Sequence, residues 1–370
     1  MPGHDIIVIG GSAGAVQAVM DIARALPANI PAAVFVVIHT APSSSGFLAE
    51  LIDRASALIV VAAADGQEIT PGRIYVAPPD HHLLLTRAGI RVTRGPKENG
   101  FRPAVDPLFR TAARAFGARV VGVVLSGGLD DGTEGLALIK QHDGIAIVQD
   151  PTEAPFPSMP ANAIQNDGVD HVVSVAEIPG LLDRLARMTI PPRRLAMSRS
   201  QPEPRDVAES GDRSLLNGDL PGSPSGFMCP ECGGALWELN NGKLTKYRCH
   251  VGHSYTPQGL LEQQTEDVEA AMWTALRALE ENAAIRRRMG ERSAQRWPQL
   301  AREYQKQARE AERRAQLLRT VLLTEKAAAE KPARRRKTKA GGPSTGGNGN
   351  GRKSARGTSK SASRRSNATA

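Results

Sequence analysis

Asp5-Ile-Ile-Val-Ile-Gly-Gly-Ser-Ala-Gly14 decides the fold class of this 370-residue chain. Its apolar run has no polar alternation, which reads as a strand buried on both faces. The small residues Gly10, Gly11 and Gly14 then allow a sharp turn into a helix from about Ala15 to Ala25. The same succession recurs on moving outward. Ala32 to Ile38 reads as a second strand, followed by a helix near Phe47 to Ala55. Gly72 to Ala77, His82 to Thr86 and Ile90 to Thr93 read as shorter strands that include an antiparallel pair. A helix at Pro107 to Phe116, a strand at Arg119 to Leu125 and a helix at Gly132 to Gln141 come next. Strands at Ile145 to Val148 and Val172 to Val175 and a helix near Glu177 to Arg187 close the pattern. The expectation is an α/β domain with a doubly wound, mostly parallel sheet and helices on both faces.

Gly10 to Gly14 also has the Gly-x-Ser-x-Gly form of a nucleophile elbow, a strained strand-to-helix turn that exposes a serine oxygen. The helix behind Ser12 aims backbone N–H groups at developing negative charge. The glycines do not follow Gly-x-Gly-x-x-Gly, which argues against a dinucleotide site. A serine hydroxyl needs a base to take its proton, and His39 stands at the carboxyl end of the second strand. The loop from Leu125 to Gly132, after a third strand, carries Asp130 and Asp131. An acid there would orient a histidine and stabilise its imidazolium. All these positions fall on the carboxyl edge of one expected sheet, the edge at which parallel sheets bind ligands.

Residues 1 to about 190 resemble the catalytic domain of the chemotaxis protein-glutamate methylesterases, the CheB type. The resemblance is carried by Ile9 to Gly14, Val37-Ile-His-Thr40, Pro71 to Pro78, Arg102-Pro-Ala-Val-Asp106, Leu125 to Gly132 and Pro157-Ser-Met-Pro-Ala161. It implies a serine hydrolase that demethylates glutamyl methyl esters on chemoreceptors or receptor-like proteins in chemosensory signalling, and that also deamidates glutamines. It assigns the triad to Ser12, His39 and Asp131, and it implies no cofactor for catalysis. The family's oxyanion donor falls on the backbone N–H of Gly128, where a Met is usual, and a backbone donor survives a side-chain change. Ala13 replaces the usual Thr and Leu129 the usual Gly. The catalytic segment starts at residue 1, so the expectation is a stand-alone enzyme without the family's receiver domain.

The rest of the chain reads differently. Residues 191–225 are rich in Pro, Ser, Arg, Asp and Gly without an apolar period, and read as a linker. Residues 226–257 hold all three cysteines. Cys229-x2-Cys232 followed by Cys249-x3-His253 has zinc-ribbon-like spacing, with a structural zinc expected on those four ligands and His253 preferred over its competitor His250. Residues 258–330 carry helical apolar seams broken near Trp297-Pro298, as in a hairpin or coiled coil. Residues 331–370 hold twelve Lys or Arg and no acid, and are expected to be a disordered basic tail. Taking those twelve from the net charge of +9 leaves −3, so only the tail argues for a polyanion or acidic protein partner. No signal peptide or apolar span is visible, and three clustered cysteines do not make a disulfide framework. The expectation is a cytoplasmic protein without membrane insertion. The competing function class is an adaptor, a degenerate hydrolase domain that recruits partners through ribbon, helices and tail; the intact Ser, His and Asp argue against it.

Overall fold

A computed structural model describes residues 3–166, 168–191, 206, 208, 222–241 and 244–337. The first strand, β1 (Ile6–Gly11), is buried along its whole length and lies at the centre of a seven-stranded sheet. It is followed by α1 (Ala15–Ala25), β2 (Ala33–Ile38), α2 (Leu48–Asp53), β3 (Ile59–Ala62) and β4 (Arg73–Val76). A hairpin of β5 (His82–Thr86) and β6 (Gly89–Thr93) leads to α3 (Val105–Phe116) and β7 (Val120–Val124). Then come α4 (Thr133–Gln141), β8 (Ile145–Gln149), α5 (Ser158–Gln165), β9 (His171–Val173) and α6 (Ile178–Arg187). The strand order is β3-β4-β2-β1-β7-β8-β9, and every pair is parallel.

The two-residue period of β1 explains why it has no polar face. Ile7 and Ile9 join one core with α1, α2 and α6, while Ile6 and Val8 join the other with α3, α4 and the β5–β6 hairpin. A doubly wound sheet results, as the sequence implies. After β1 the chain runs outward through β2 in one direction, and β7 then begins the other side. The carboxyl ends of β1 and β7 therefore flank the topological switch point, where open α/β sheets form their crevice. Two elements depart from the sequence reading. The short edge strand β3 was not expected, and neither was α5, whose Pro160 sits in the first turn, where proline is tolerated.

The cysteine-bearing segment forms an antiparallel sheet of β10 (Ser223–Met228), β11 (Ala235–Asn241), β12 (Leu244–Cys249) and β13 (Ser254–Tyr255). Its first strand begins three residues before the expected boundary at 226. Two helices follow, α7 (Pro257–Ser293) and α8 (Pro298–Lys337). The chain divides into two compact units, Met1–Ala270 and Ala271–Ala370, with α7 belonging to both. In the second unit Leu276, Ala315 and Leu322 form a small core with Met272 and Leu279.

Two expectations for the polar segments need correction. Asp206 and Ala208, inside the expected linker, are buried, because Asp206 pairs with Arg110 and Arg114 of α3. α8 runs to Lys337, into the expected tail, because lengthening an existing helix is far easier than nucleating one. The tail beyond Lys337 and the other residues of the expected linker lie outside the described residues. Among the described residues no helix is long and apolar enough to cross a membrane.

Candidate active site

Three strand ends build the site. Ser12 directly follows β1, and its N–H donates to Ser126 O in the loop after β7 (2.9 Å). Gly14 caps α1 at φ +80°, a left-handed conformation that favours glycine, and Gly10 lies so close to α3 that a Cβ would meet Val105 Cγ1 at 2.2 Å. These glycines thus hold a tight turn under a packed helix. His39 follows β2, with its N–H donating to Gly11 O at 3.2 Å. Asp131 lies between β7 and α4.

The three side chains meet. Ser12 Oγ is 3.1 Å from His39 Nδ1, and His39 Nε2 is 2.7 Å from Asp131 Oδ2. A buried carboxylate must accept, so His39 donates through Nε2 and takes the serine proton at Nδ1. The His39 and Asp131 side chains are 4% and 1% exposed, which keeps water from competing for the pair. Asp130, its neighbour in sequence, points elsewhere and accepts from Thr256 Oγ1 at 2.8 Å.

Asp131 keeps its charge by geometry. It accepts from Val105 N–H (2.7 Å) and Asp106 N–H (3.1 Å), the first free donors of α3. A helix N-terminus with unpaired N–H groups suits an anion. Burial works against the charge, but the bonds from His39, Val105 and Asp106 outweigh it and hold the carboxyl below its ordinary value. Asp106 behaves oppositely. It is fully buried beside Asp131, and burial followed by that neighbouring charge pushes it well above the carboxylate range.

The loop after β7 is pinned from several sides. Ser126 N–H donates to Gln149 Oε1 (2.9 Å), Gly127 N–H to Phe156 O (2.9 Å), and Asn162 Nδ2 to Leu129 O (2.8 Å). Leu129 sits at φ +61°, where a residue other than glycine is strained by roughly 1–2 kcal/mol. Gly128 has open space beside its Cα, and its N–H makes no hydrogen bond within the described residues. Phe101 stacks on the His39 ring, centroids 3.8 Å apart and planes 10° from parallel. Sequence reasoning missed Phe101, Asn162 and Thr256. Only the turn residues around Phe101 gave a local signal, and no local pattern reports contact across the fold. His82 Nε2 donates to Pro96 O, and Arg102 pairs with Asp80.

A second cluster lies in the cysteine module. The ligand atoms of Cys229, Cys232, Cys249 and His253 all lie within 4.8 Å of one another. Cys232 Sγ is 3.7 Å from Cys249 Sγ, and His253 Nδ1 lies 3.7 and 3.6 Å from the sulfurs of Cys229 and Cys249. Around a tetrahedral zinc, thiolates at about 2.3 Å stand about 3.8 Å apart, and a thiolate and imidazole about 3.6 Å. The donor set and its spacing fit zinc. Two tight turns shape it, with Gly233 N–H on Cys229 O and Gly252 N–H on Cys249 O. His250 is exposed and outside the cluster.

The module docks through buried charge. Lys246 of β12 reaches Glu98 (3.0 Å) and Glu134 (2.5 Å), and Arg110 joins Glu98 to Asp206, both at 2.6 Å. Burial opposes the charge on Glu98, but Arg110 and Lys246 hold it well below its ordinary value.

Several known proteins are similar to this chain in sequence. The catalytic domain of CheB methylesterase from Thermotoga maritima aligns at a TM-score of 0.47 and 34% identity, over 49% of this chain and 98% of that one. A Pyrococcus abyssi protein-glutamate methylesterase/protein-glutamine glutaminase is 36% identical over 51% of this chain and 52% of its own. One from Anaeromyxobacter dehalogenans is 38% identical over 50% and 54%. This chain thus spans about half the length of those two relatives. A Leptospira interrogans relative named for the same two activities is 36% identical over 183 residues, 95% of its length and 49% of this chain. The CheB methylesterase family profile matches residues 7–182, the segment that carries the sheet and all three strand-end residues. With a relative covered almost end to end at that identity, the chain belongs to the CheB methylesterase family.

Proposed function

We propose that this chain is a protein-glutamate methylesterase that hydrolyses glutamyl methyl esters on methylated chemoreceptors or receptor-like proteins, with glutamine deamidation as a second activity of the same site. The observation that carries the reading is the hydrogen-bonded array of Ser12, His39 and Asp131 at the switch point of a CheB-family sheet. Ser12 Oγ attacks the ester carbonyl while His39 Nδ1 takes its proton. Asp131 fixes the tautomer and stabilises the imidazolium. The free N–H of Gly128, with the N–H groups at the helix start behind Ser12, would stabilise the developing oxyanion. Methanol leaves with the proton held by His39, or ammonia does so from a glutamine. Water then repeats the attack, releasing the glutamate carboxylate and restoring Ser12. These side chains supply nucleophile, base and orienting charge, so the chemistry needs no cofactor.

The test is methanol release from a methylated receptor by the purified full chain. Ser12→Ala should lower it by about a thousandfold or more. Equal rates in the two proteins would overturn the assignment. For the module, Cys229, Cys232, Cys249 and His253 would hold a structural zinc, since four protein ligands leave no open position for chemistry. Cys232→Ser should reduce the bound zinc from about one equivalent; unchanged zinc by elemental analysis would remove that assignment.

A further inference from the structure

Thr256 occupies one residue position between β13 and α7, yet it is bonded to two loops beside the catalytic array, the one that carries Asp131 and the one whose Phe101 covers His39. Its N–H donates to Asn99 Oδ1 at 2.8 Å, and its hydroxyl donates to Asp130 Oδ1 at 2.8 Å. The same oxygen accepts the N–H of Gly259 at 3.0 Å, capping α7. We propose that Thr256 is a positioning residue of the esterase site, through which the cysteine module sets the geometry of His39 and Asp131. The inference rests on the assignment of those residues as catalytic.

Each loop transmits the contact over a short, stiff path. Asn99 belongs to a tight turn in which Glu98 and Phe101 exchange backbone hydrogen bonds of 3.2 and 2.9 Å. Asn99 N–H also donates to Ser254 O (2.7 Å), and Ser254 N–H to Lys97 O (3.2 Å). The turn ends in Phe101, whose ring covers the imidazole of His39. On the other side, Asp130 precedes Asp131 directly, and its carbonyl accepts the N–H of Thr133 at the start of α4 (3.1 Å). A shift of Asp130 therefore moves the carboxylate that orients His39. Asn162 makes a parallel connection, since its Nδ2 donates to both Leu129 O and Gln258 Oε1 (2.8 and 3.0 Å). That bond matters because Leu129 holds an unfavourable left-handed conformation.

The module holds Thr256 in place. Cys249 N–H donates to His253 O at 3.0 Å, closing the turn that delivers β13, and Tyr255 packs with Cys229, Leu236, Cys249 and Leu260. Lys246 fastens the neighbouring strand to Glu98 and Glu134. The segment from Ser254 to Gln258 thus bridges a rigid module and two loops whose correct placement within about 1 Å governs rate.

The test compares Thr256→Val, which keeps the shape but loses the hydroxyl, with Thr256→Ser, which restores it. All measurements use the full chain loaded with zinc. They cover turnover of p-nitrophenyl acetate, zinc content, and amide hydrogen exchange of residues 97–101 and 127–131. Thr256→Val should lower kcat about tenfold with KM within twofold, speed exchange in both loops, and retain its zinc; Thr256→Ser should recover kcat and slow exchange. Asp130→Ala breaks the same bond from the other side, leaves the α7 cap intact, and should reproduce the drop if Thr256→Val fails to fold. Wild-type kcat and exchange in both Thr256→Val and Asp130→Ala would overturn the proposal. Equal impairment in Thr256→Ser and Thr256→Val would do the same, because the hydroxyl would then not be the cause. If Ser12→Ala hydrolyses the ester as fast as wild type, the catalytic assignment fails by itself, and loop exchange alone decides whether Thr256 couples the module to the loops.

Discussion

Asp131 is surrounded by donors, and the adjacent acid is not. One carboxylate takes His39 and two N–H groups of α3, while Asp130, one residue earlier, takes a hydroxyl from Thr256. Replacing each with its amide should separate them. Asp131→Asn puts an amide in a site built for a carboxylate and leaves His39 without its charged partner, so kcat should fall by about 10³–10⁴. Asp130→Asn keeps an oxygen that can accept from Thr256, so kcat should stay within about threefold of wild type. Steady-state hydrolysis of one ester by both variants decides it, and comparable losses would mean that Asp130 shares the role. The adjacent pair left a one-residue ambiguity in the sequence that family likeness addressed but local chemistry could not. Side-chain direction in a loop depends on what packs around it, here the end of α3, which is remote in sequence.

At the scale of elements, α3 organises both the catalytic carboxylate and the docking of the module. Its first turn presents N–H groups to Asp131, and its middle presents Arg110 to Glu98 and Asp206. Buried ion pairs are poor sources of net stability, yet breaking one leaves an uncompensated charge that costs about 3–5 kcal/mol. Glu98→Gln should therefore destabilise the first unit by that amount at pH 7. The sign of the pH dependence follows from the direction of the shift. Glu98 titrates lower in the folded state than in the unfolded chain, so its contribution is complete above the ordinary glutamate value of about 4.3 and disappears as pH falls through the lower folded value. The wild-type advantage over Glu98→Gln, measured by urea unfolding of both proteins, should shrink below about pH 4. An advantage that grew on acidification would contradict the paired, ionised Glu98. These charges illustrate what local pattern cannot report. Unbroken apolar runs showed β1, β2, β7 and β8, and with them the sheet edge that carries Ser12 and His39. Lys246 and Glu98, 148 residues apart, read singly as solvated charges, and Asp206 sits in a stretch with every compositional mark of a linker. The edge strand β3 escaped notice because half-exposed Ile59 and a four-residue length give no strong period.

For the whole molecule, the two compact units that divide near Ala270 draw on different sources of stability. The first unit has two extensive cores on either side of a seven-stranded sheet, and its cysteine module is tied to that sheet by ion pairs and by Thr256. The second depends on a thin seam in which Leu276, Ala315 and Leu322 are buried, with Met272 and Leu279 beside them. The other buried apolar residues described there, Ala283, Ala301, Ala308 and Ala311, are small, which leaves little margin against the conformational entropy of long helices. Burying a carboxylate at Leu276 would cost more than the roughly 2–5 kcal/mol of a large-to-small change, since desolvation adds to lost packing. Leu276→Asp should consequently melt the helices after Ala270 and lower the far-UV helical signal. The Ser12, His39 and Asp131 array lies entirely in the first unit, so ester turnover should remain within twofold. Loss of turnover in step with loss of helix would instead mean that the second unit supports the catalytic domain, and the two would then have to be treated as one cooperative structure.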